Sequence, residues 1–253
     1  MKKYIDLIFG DMNNSANIGT IIHSIASDYN LHVRSYGPNA ERLFLGPDRS
    51  QWRMRAVPCG WVNPKALLVI GAGAFIEAET LRREVEAIAR LDSTIFGRLM
   101  IDPDCSIIDN PSGFGNTVSN YAMLAAEDSW FSQFAVPDTE KLIERLDITG
   151  NKILLDTFSY KFEHINRSIM CLNIEFLNLK YKIETPNTEI ALTNIENFYP
   201  EDCGKACYRN LSFLLKDFID NIEKIYNAPV TLISTGGSMQ RVVKTQAYYE
   251  RVK

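Results

Sequence analysis

Apolar, β-branched runs that alternate with polar glycine-bearing loops and with segments of helical period constrain this chain more than any other feature. Residues 4–9 form a short apolar run stopped at Gly10, a polar loop follows over 11–17, and Ile18, Ile21, Ile22 and Ile25 then recur at helical spacing. This strand–loop–helix order opens many nucleotide-binding sheets. Residues 32–36 read as a second strand stopped by Gly37-Pro38, and residues 66–71 as a third that ends in Gly71-Ala72-Gly73. An amphipathic helix is predicted over 77–91, with Leu81, Val85 and Ile88 on one side. Further strands are predicted at 98–101, 152–156 and 229–234, and further helices at about 118–127, 138–146 and 208–226. Leu211, Leu214, Leu215, Phe218 and Ile222 form the stripe of the last helix. The alternation predicts one α/β domain over residues 1–253, with a largely parallel central sheet and helices on both faces.

A chain of 253 residues can bury a substantial core in a single domain. Its formal charge of −4 gives no electrostatic footprint for direct nucleic-acid binding or for an anionic membrane. No apolar run approaches the roughly 20 residues of a bilayer span, and the first residues lack the apolar stretch of a signal peptide. The expectation is a cytoplasmic protein. Five cysteines do not suggest a disulfide framework. Cys203 and Cys207, four apart and expected near one helix face, lack a second ligand pair, and His23, His32 and His164 are scattered, so no structural metal is expected.

Several conspicuous side chains have plain structural readings. Trp52, Trp61 and Trp130 read as packing residues, His23 as an ordinary helix residue, and Arg53, Arg55, Arg82 and Arg83 as solvated surface. Asp102 and Asp104 read as cap or turn residues rather than Mg²⁺ ligands.

Parallel α/β sheets bind ligands beyond the carboxyl ends of their strands. Three polar, glycine-bearing loops fall at such places: residues 13–20, 110–117 and 234–238. Backbone N–H groups at a helix start can cradle phosphate there.

The order of these segments carries a resemblance. Val57-Pro58-Cys59-Gly60-Trp61, the run from Leu68 through Gly71-Ala72-Gly73 to Ile76, and Leu81-Arg82-Arg83-Glu84-Val85 lead to Arg98-Leu99-Met100-Ile101-Asp102. Near the end stand Leu192-Thr193-Asn194-Ile195, Tyr199-Pro200, Ala206-Cys207-Tyr208, Ile222-Glu223 and the run from Ala228 to Gly236. In type and spacing they resemble the adenylosuccinate synthetase family over about two-thirds of the chain. The resemblance implies a fold related to the P-loop NTPases and a purine-nucleotide site. It also implies a C–N ligase in which GTP, with Mg²⁺, phosphorylates the 6-oxygen of IMP before the amine of aspartate displaces the phosphate. Family members form homodimers that pass an arginine into the neighbouring site.

Residue by residue, the family's machinery is rewritten here. Its first glycine-rich loop corresponds to Asn14-Ser15-Ala16-Asn17-Ile18-Gly19-Thr20, where Ser15 replaces the catalytic carboxylate and both lysines are gone. The segment around Asn39 and Arg42 puts Arg42 where the family has its catalytic histidine, and an arginine does not inherit a histidine's chemistry. Asn173, in Met170-Cys171-Leu172-Asn173, replaces the aspartate that reads guanine. An amide there is expected to accept one hydrogen bond from a guanine N–H while losing the charge-assisted pair. The best-kept loop holds Ser112, Gly113, Gly115 and Asn116, and the closing region contributes Thr235 and Gly236. Much of the family's middle region has no counterpart. A phage branch of the family also carries a small residue in place of the base, so Ser15 alone does not abolish activity.

Two readings follow. In one, the chain is a catalytically silent or partner-dependent relative that binds a purine nucleotide, working as a homodimer or beside a second protein. In the other, it is an active ligase that joins an amino acid to the 6-position of a purine nucleotide at the expense of a nucleoside triphosphate. Compensating cations at the first loop, from Arg34, Arg42 or Arg49, would favour the second.

Overall fold

The computed structural model describes residues 5–10, 18–37, 40–46, 48–108, 117–157, 165–177, 187–236 and 241–252. Strands β1 (Ile5–Gly10), β2 (Leu31–Ser35), β3 (Arg42–Leu45), β4 (Gln51–Met54) and β5 (Leu67–Ile70) lie in the first third of the chain. They are followed by β6 (Phe75–Glu77), β7 (Leu99–Ile101), β8 (Ser106–Ile108), β9 (Thr117–Asn120) and β10 (Ile153–Thr157). The last third holds β11 (Ile165–Asn173), β12 (Thr188–Thr193), β13 (Val230–Ser234) and β14 (Val242–Lys244). The α-helices are α1 (Ile18–Ile25), α2 (Ala78–Ala89), α3 (Ile95–Arg98), α4 (Tyr121–Glu127), α5 (Thr139–Ile148), α6 (Phe213–Tyr226) and α7 (Gln246–Val252). None of these helices is long and apolar enough to cross a membrane.

Nine strands hydrogen-bond in the order β14-β13-β12-β11-β1-β10-β2-β5-β7. The pairs β10–β2, β2–β5, β5–β7, β11–β12 and β12–β13 are parallel, and β13–β14 is antiparallel. The expected largely parallel α/β sheet is present. Its strands read as near-continuous apolar runs because such sheets are covered on both faces. In β5, Leu68, Val69 and Ile70 are buried, and in β13 all five residues are.

The chain divides into two compact units. The first comprises Met1–Leu7, Ile25–Glu41 and Arg53–Ile165; the second comprises Ile8–Ser24, Arg42–Trp52 and Asn166–Lys253. In the first unit, buried polar groups tie loops to helices and strand ends. The Glu84 carboxylate accepts from the backbone N–H groups of Arg55, Ala56 and Val57 at 2.6, 3.1 and 2.8 Å. Burial raises its carboxyl above the ordinary value, and those hydrogen bonds only partly oppose the rise. Arg98 donates to the carbonyls of Trp61, Asn63 and Ala66 and to Asp92, which makes it a staple rather than the start of a strand. Asp102 Oδ2 accepts from Thr139 N and Oγ1 at 2.9 and 2.5 Å, and its Oδ1 accepts from Asp104 N. Asp102 thereby ends β7 and ties down the start of α5, the turn-and-cap role expected of it. Trp61 is buried, and Trp130 packs against Phe131 and Phe134 with the Arg82 guanidinium 4.7 Å above its ring. Arg82 also pairs with Asp128, so it is less solvated than expected.

In the second unit, α6 is held by a capped start. Ser212 accepts from Leu215 N, and Leu215, Ile219, Ile222 and Tyr226 face the core. The helix expected over 208–226 therefore begins five residues later, because residues 208–210 form a separate 3₁₀ turn and Leu211-Ser212 is extended before the cap. Leu214, expected in the buried stripe, is 66% exposed. The expected helix at 118–127 is shorter as well. Residues 117–120 pair with β8 as a strand, and α4 starts only after the Asn120 cap. Cys203 and Cys207 lie on no α-helix: one ends the 3₁₀ turn at 200–202, the other starts that at 208–210, and both are exposed.

Candidate functional site

Six of the residues singled out from the sequence fall among the described residues: Gly19, Thr20, Arg42, Asn173, Thr235 and Gly236. All six belong to the second unit. Asn14, Ser15, Asn17, Asn39, Ser112, Gly113, Gly115 and Asn116 lie outside the described residues.

The six fall into two groups. The first forms where α1 lies on β3. Ile18, Ile21, Ile22 and Ile25 are all buried, and burying each such side chain contributes about 1.5–3 kcal/mol. An eight-residue helix would be marginal alone, so this packing is what holds it. On the side toward β3 the helix has Gly19, and a Cβ there would stand 2.5 Å from the Leu43 carbonyl oxygen. Only glycine allows that approach. Thr20 Oγ1 donates to the same oxygen at 3.3 Å, and one turn on the His23 ring lies 5.0 Å from Phe44. Burial holds His23 down to about 4, and its Nδ1 makes no hydrogen bond among the described residues. His23 is thus a neutral packing residue at working pH. Arg42, first residue of β3, is 1% exposed.

The second group stands along the carboxyl edge of three parallel strands. Register places Asn173, the last residue of β11, level with Thr193, the last of β12; Leu192 is level with Ile233, one residue before the end of β13. Thr193 Oγ1 donates to Leu172 O, and Thr235 Oγ1 lies 2.7 Å from Lys205 O and 2.8 Å from Arg241 O. Gly236 packs against Arg241, whose Cδ would meet an added Cβ at 2.6 Å. Asn173 is 3% exposed, and its Oδ1 accepts from Glu175 N at 3.0 Å.

The structure adds residues that the sequence did not single out. Asn194 adopts a left-handed conformation (φ 61°) just beyond β12 and directs Nδ2 toward Glu175 Oε2 at 3.5 Å. Asp202 gathers the next loop by accepting from Lys205 Nζ and Ser212 N at 2.7 Å each and from Ser212 Oγ at 2.5 Å. Burial alone would raise the Asp202 carboxyl, but hydrogen bonds from Lys205 and Ser212 outweigh it and hold the group below its ordinary value. Nothing in local sequence marks a carboxylate whose partner lies ten residues on. The Asn194 turn had a local signal, since asparagine tolerates positive φ.

Arg34 donates to the carbonyl oxygens of Met54, Ala40 and Arg55 at 3.1, 2.7 and 2.9 Å, within the first unit. Arg49 is exposed on the turn between β3 and β4, at φ 62°.

A mostly parallel α/β sheet with candidate ligand groups along its carboxyl edge defines the class of protein. Comparisons narrow it. The profile of the family described as Adenylosuccinate synthetase matches residues 10–112. Among curated adenylosuccinate synthetases, that of Phytophthora infestans is 24% identical over 97 residues, which is 38% of this chain and 18% of the relative. That of Methanocaldococcus jannaschii is 41% identical over 56 residues (22% and 16%), and adenylosuccinate synthetase 2 of Cupriavidus pinatubonensis 26% over 105 residues (42% and 23%). The matched stretches thus span under a quarter of these relatives' lengths. In fold, the fully ligated adenylosuccinate synthetase of Plasmodium falciparum aligns with TM-score 0.73 and 11% identity, over 96% of this chain and 100% of that one. Cyanophage S-2L succinoaminodeoxyadenylate synthetase, bound to dGMP and to dATP as an energy donor, aligns with TM-score 0.63 and 11% identity, over 100% and 99%. The chain is thus similar to the adenylosuccinate synthetases in sequence over residues 10–112 and in fold over nearly its whole length.

Proposed function

We propose that this chain binds a purine nucleotide, with Gly19, Thr20, Asn173, Thr235 and Gly236 among its contacts, and does not run the ligase reaction alone. It is either silent or dependent on a second copy or a second protein, in a cytoplasmic setting. The observation that carries this reading is the state of the arginines. Arg34 is committed to three backbone carbonyls and Arg42 is sealed at 1% exposure, so neither guanidinium is offered as a mobile stabiliser of transferring phosphoryl charge. Ser15, at the position that the resemblance gives to the carboxylate base, does not supply a base there. Mg²⁺ would enter with the phosphates and supply charge neutralisation. Asp102 has a structural role instead, its two carboxylate oxygens accepting hydrogen bonds from Thr139 and Asp104.

The test is to incubate the purified chain with IMP, aspartate and either GTP or ATP, and to follow both binding and nucleoside diphosphate release. Binding without release that depends on both IMP and aspartate is expected. Steady release dependent on both would overturn the silent reading and favour the active ligase, an option supported by the overlay on the cyanophage synthetase.

A further inference from the structure

We propose that Cys203 and Cys207 form a redox-sensitive dithiol, which a small-molecule disulfide converts to an internal disulfide, and that this closure loosens the turn at Thr235. Cys59, Cys105 and Cys171 are buried, whereas Cys203 and Cys207 are exposed, and all five are free thiols. Access separates the pair from the other three, because thiol–disulfide exchange needs a sulfur that the reagent can reach. In a reducing setting such thiols stay free, and the disulfides that do form there are transient and redox-sensing.

The chain between the two thiols is already bent. Cys203 (φ −58°, ψ 126°) and Gly204 (φ 78°) occupy the central positions of a type II turn, closed by Lys205 N–H donating to Asp202 O at 3.2 Å. The turn folds the chain back before Ala206 and Cys207. A disulfide needs its two Cα atoms about 4.4–6.8 Å apart. Ala206, the residue free to adjust to that spacing, is exposed and makes no hydrogen bond among the described residues.

The same loop holds the residue that follows β13. Gly204 N–H donates to Thr235 O at 2.9 Å, and Thr235 Oγ1 lies 2.7 Å from Lys205 O. Both loop groups belong to the ring that a Cys203–Cys207 bond would close, so closing it disturbs both contacts. Asp202 stands just outside the ring and anchors its base through Lys205 Nζ and Ser212.

In the first step the thiolate of one cysteine attacks a sulfur of the oxidant's disulfide. A mixed disulfide forms, the oxidant's S–S bond breaks, and one small thiol leaves. The second cysteine then attacks the protein sulfur of the mixed disulfide, forming the Cys203–Cys207 bond and releasing the second small thiol. Two electrons pass from the dithiol to the oxidant, and the two thiol protons end on the released thiols.

The experiment treats the folded full chain with oxidised glutathione, traps remaining thiols by alkylation for mass spectrometry, and compares backbone hydrogen exchange of the reduced and oxidised forms. The expected product has lost two hydrogens, carries no glutathione, and on digestion links Cys203 to Cys207. Cys207→Ser should stop at a mixed disulfide on Cys203. The Gly204 N–H should exchange about tenfold faster or more once the ring is closed, and reduction should restore the slower rate. Two alkylatable thiols at 203 and 207 after treatment, glutathione retained on both, or a bond to another chain overturns the dithiol. Unchanged exchange at Gly204 in the oxidised chain overturns the coupling to Thr235. Neither readout uses a nucleotide, so the result stands apart from the nucleotide-site proposal.

Discussion

A neutral histidine packed against Phe44 makes the pH response of this protein partly a single-residue matter. Burial lowers both His23 and His32 to about 4, against 6.5 for an unfolded chain. Between those values the unfolded state binds protons that the folded state does not, so each histidine contributes stability that is complete above about 6.5 and lost as pH falls toward 4. The slope is at most about 1.4 kcal/mol per pH unit for each ring. Glu84 works in the opposite sense, because its raised carboxyl favours the folded state at low pH and loses that contribution as pH rises above its unfolded value. A comparison of variants therefore isolates the histidines. His23→Gln is expected to flatten the fall in unfolding free energy between pH 6.5 and 4.5, measured by urea denaturation; a slope equal to that of wild type would show that His23 titrates normally.

Elements here are secured by close approach and by caps. Gly19 lets α1 meet β3, and the atoms an added methyl would strike belong to the Leu43 backbone, which cannot swing aside as a side chain can. Gly19→Ala should cost about 1–3 kcal/mol and weaken nucleotide binding, whereas Thr20→Val, which loses only the bond to Leu43 O, should cost about 1 kcal/mol. Equal thermal stability of Gly19→Ala and wild type would refute the close packing. Ser212 caps α6 and also donates to Asp202. Ser212→Ala is expected to lower stability by about 1 kcal/mol, read from the denaturation midpoint, since the Leu215 N–H loses its side-chain partner.

At the scale of the molecule, α6 turns Phe213 and Leu214 outward at 80% and 66% exposure, and Phe198 and Tyr249 are 54% and 55% exposed. Aromatic side chains exposed to this degree are of the type enriched at interfaces. The proposal of a homodimer or a second subunit predicts concentration-dependent association in sedimentation velocity. Phe213→Lys combined with Leu214→Lys should reduce that association while moving stability by no more than about 0.5 kcal/mol, because neither side chain is in the core. Unaltered sedimentation of the double variant would place the interface elsewhere.

Continuous apolar runs and helical period made the α/β class, the first strand–loop–helix unit and the cores of β2, β5, α2, β10 and β13 legible in the sequence, because strands covered on both faces are apolar throughout and a core-facing helix repeats its apolar residues at a spacing of 3.6. The short β3–β4 ribbon and the small β6-β8-β9 sheet were not legible, because strands of three or four residues carry too little period. Strands β11 and β12 were hidden for another reason. Arg167 and Glu189 interrupt their apolar pattern, and the two charges become compatible with burial only when register brings them to 3.4 Å. The candidate site divides in the same way. Sequence pointed to Arg42 and Asn173, but residue type does not state whether a guanidinium is sealed or an amide's oxygen accepts a backbone N–H. Only the tertiary structure decided those points, because burial and hydrogen-bond commitment are properties of neighbours that the chain brings together by folding.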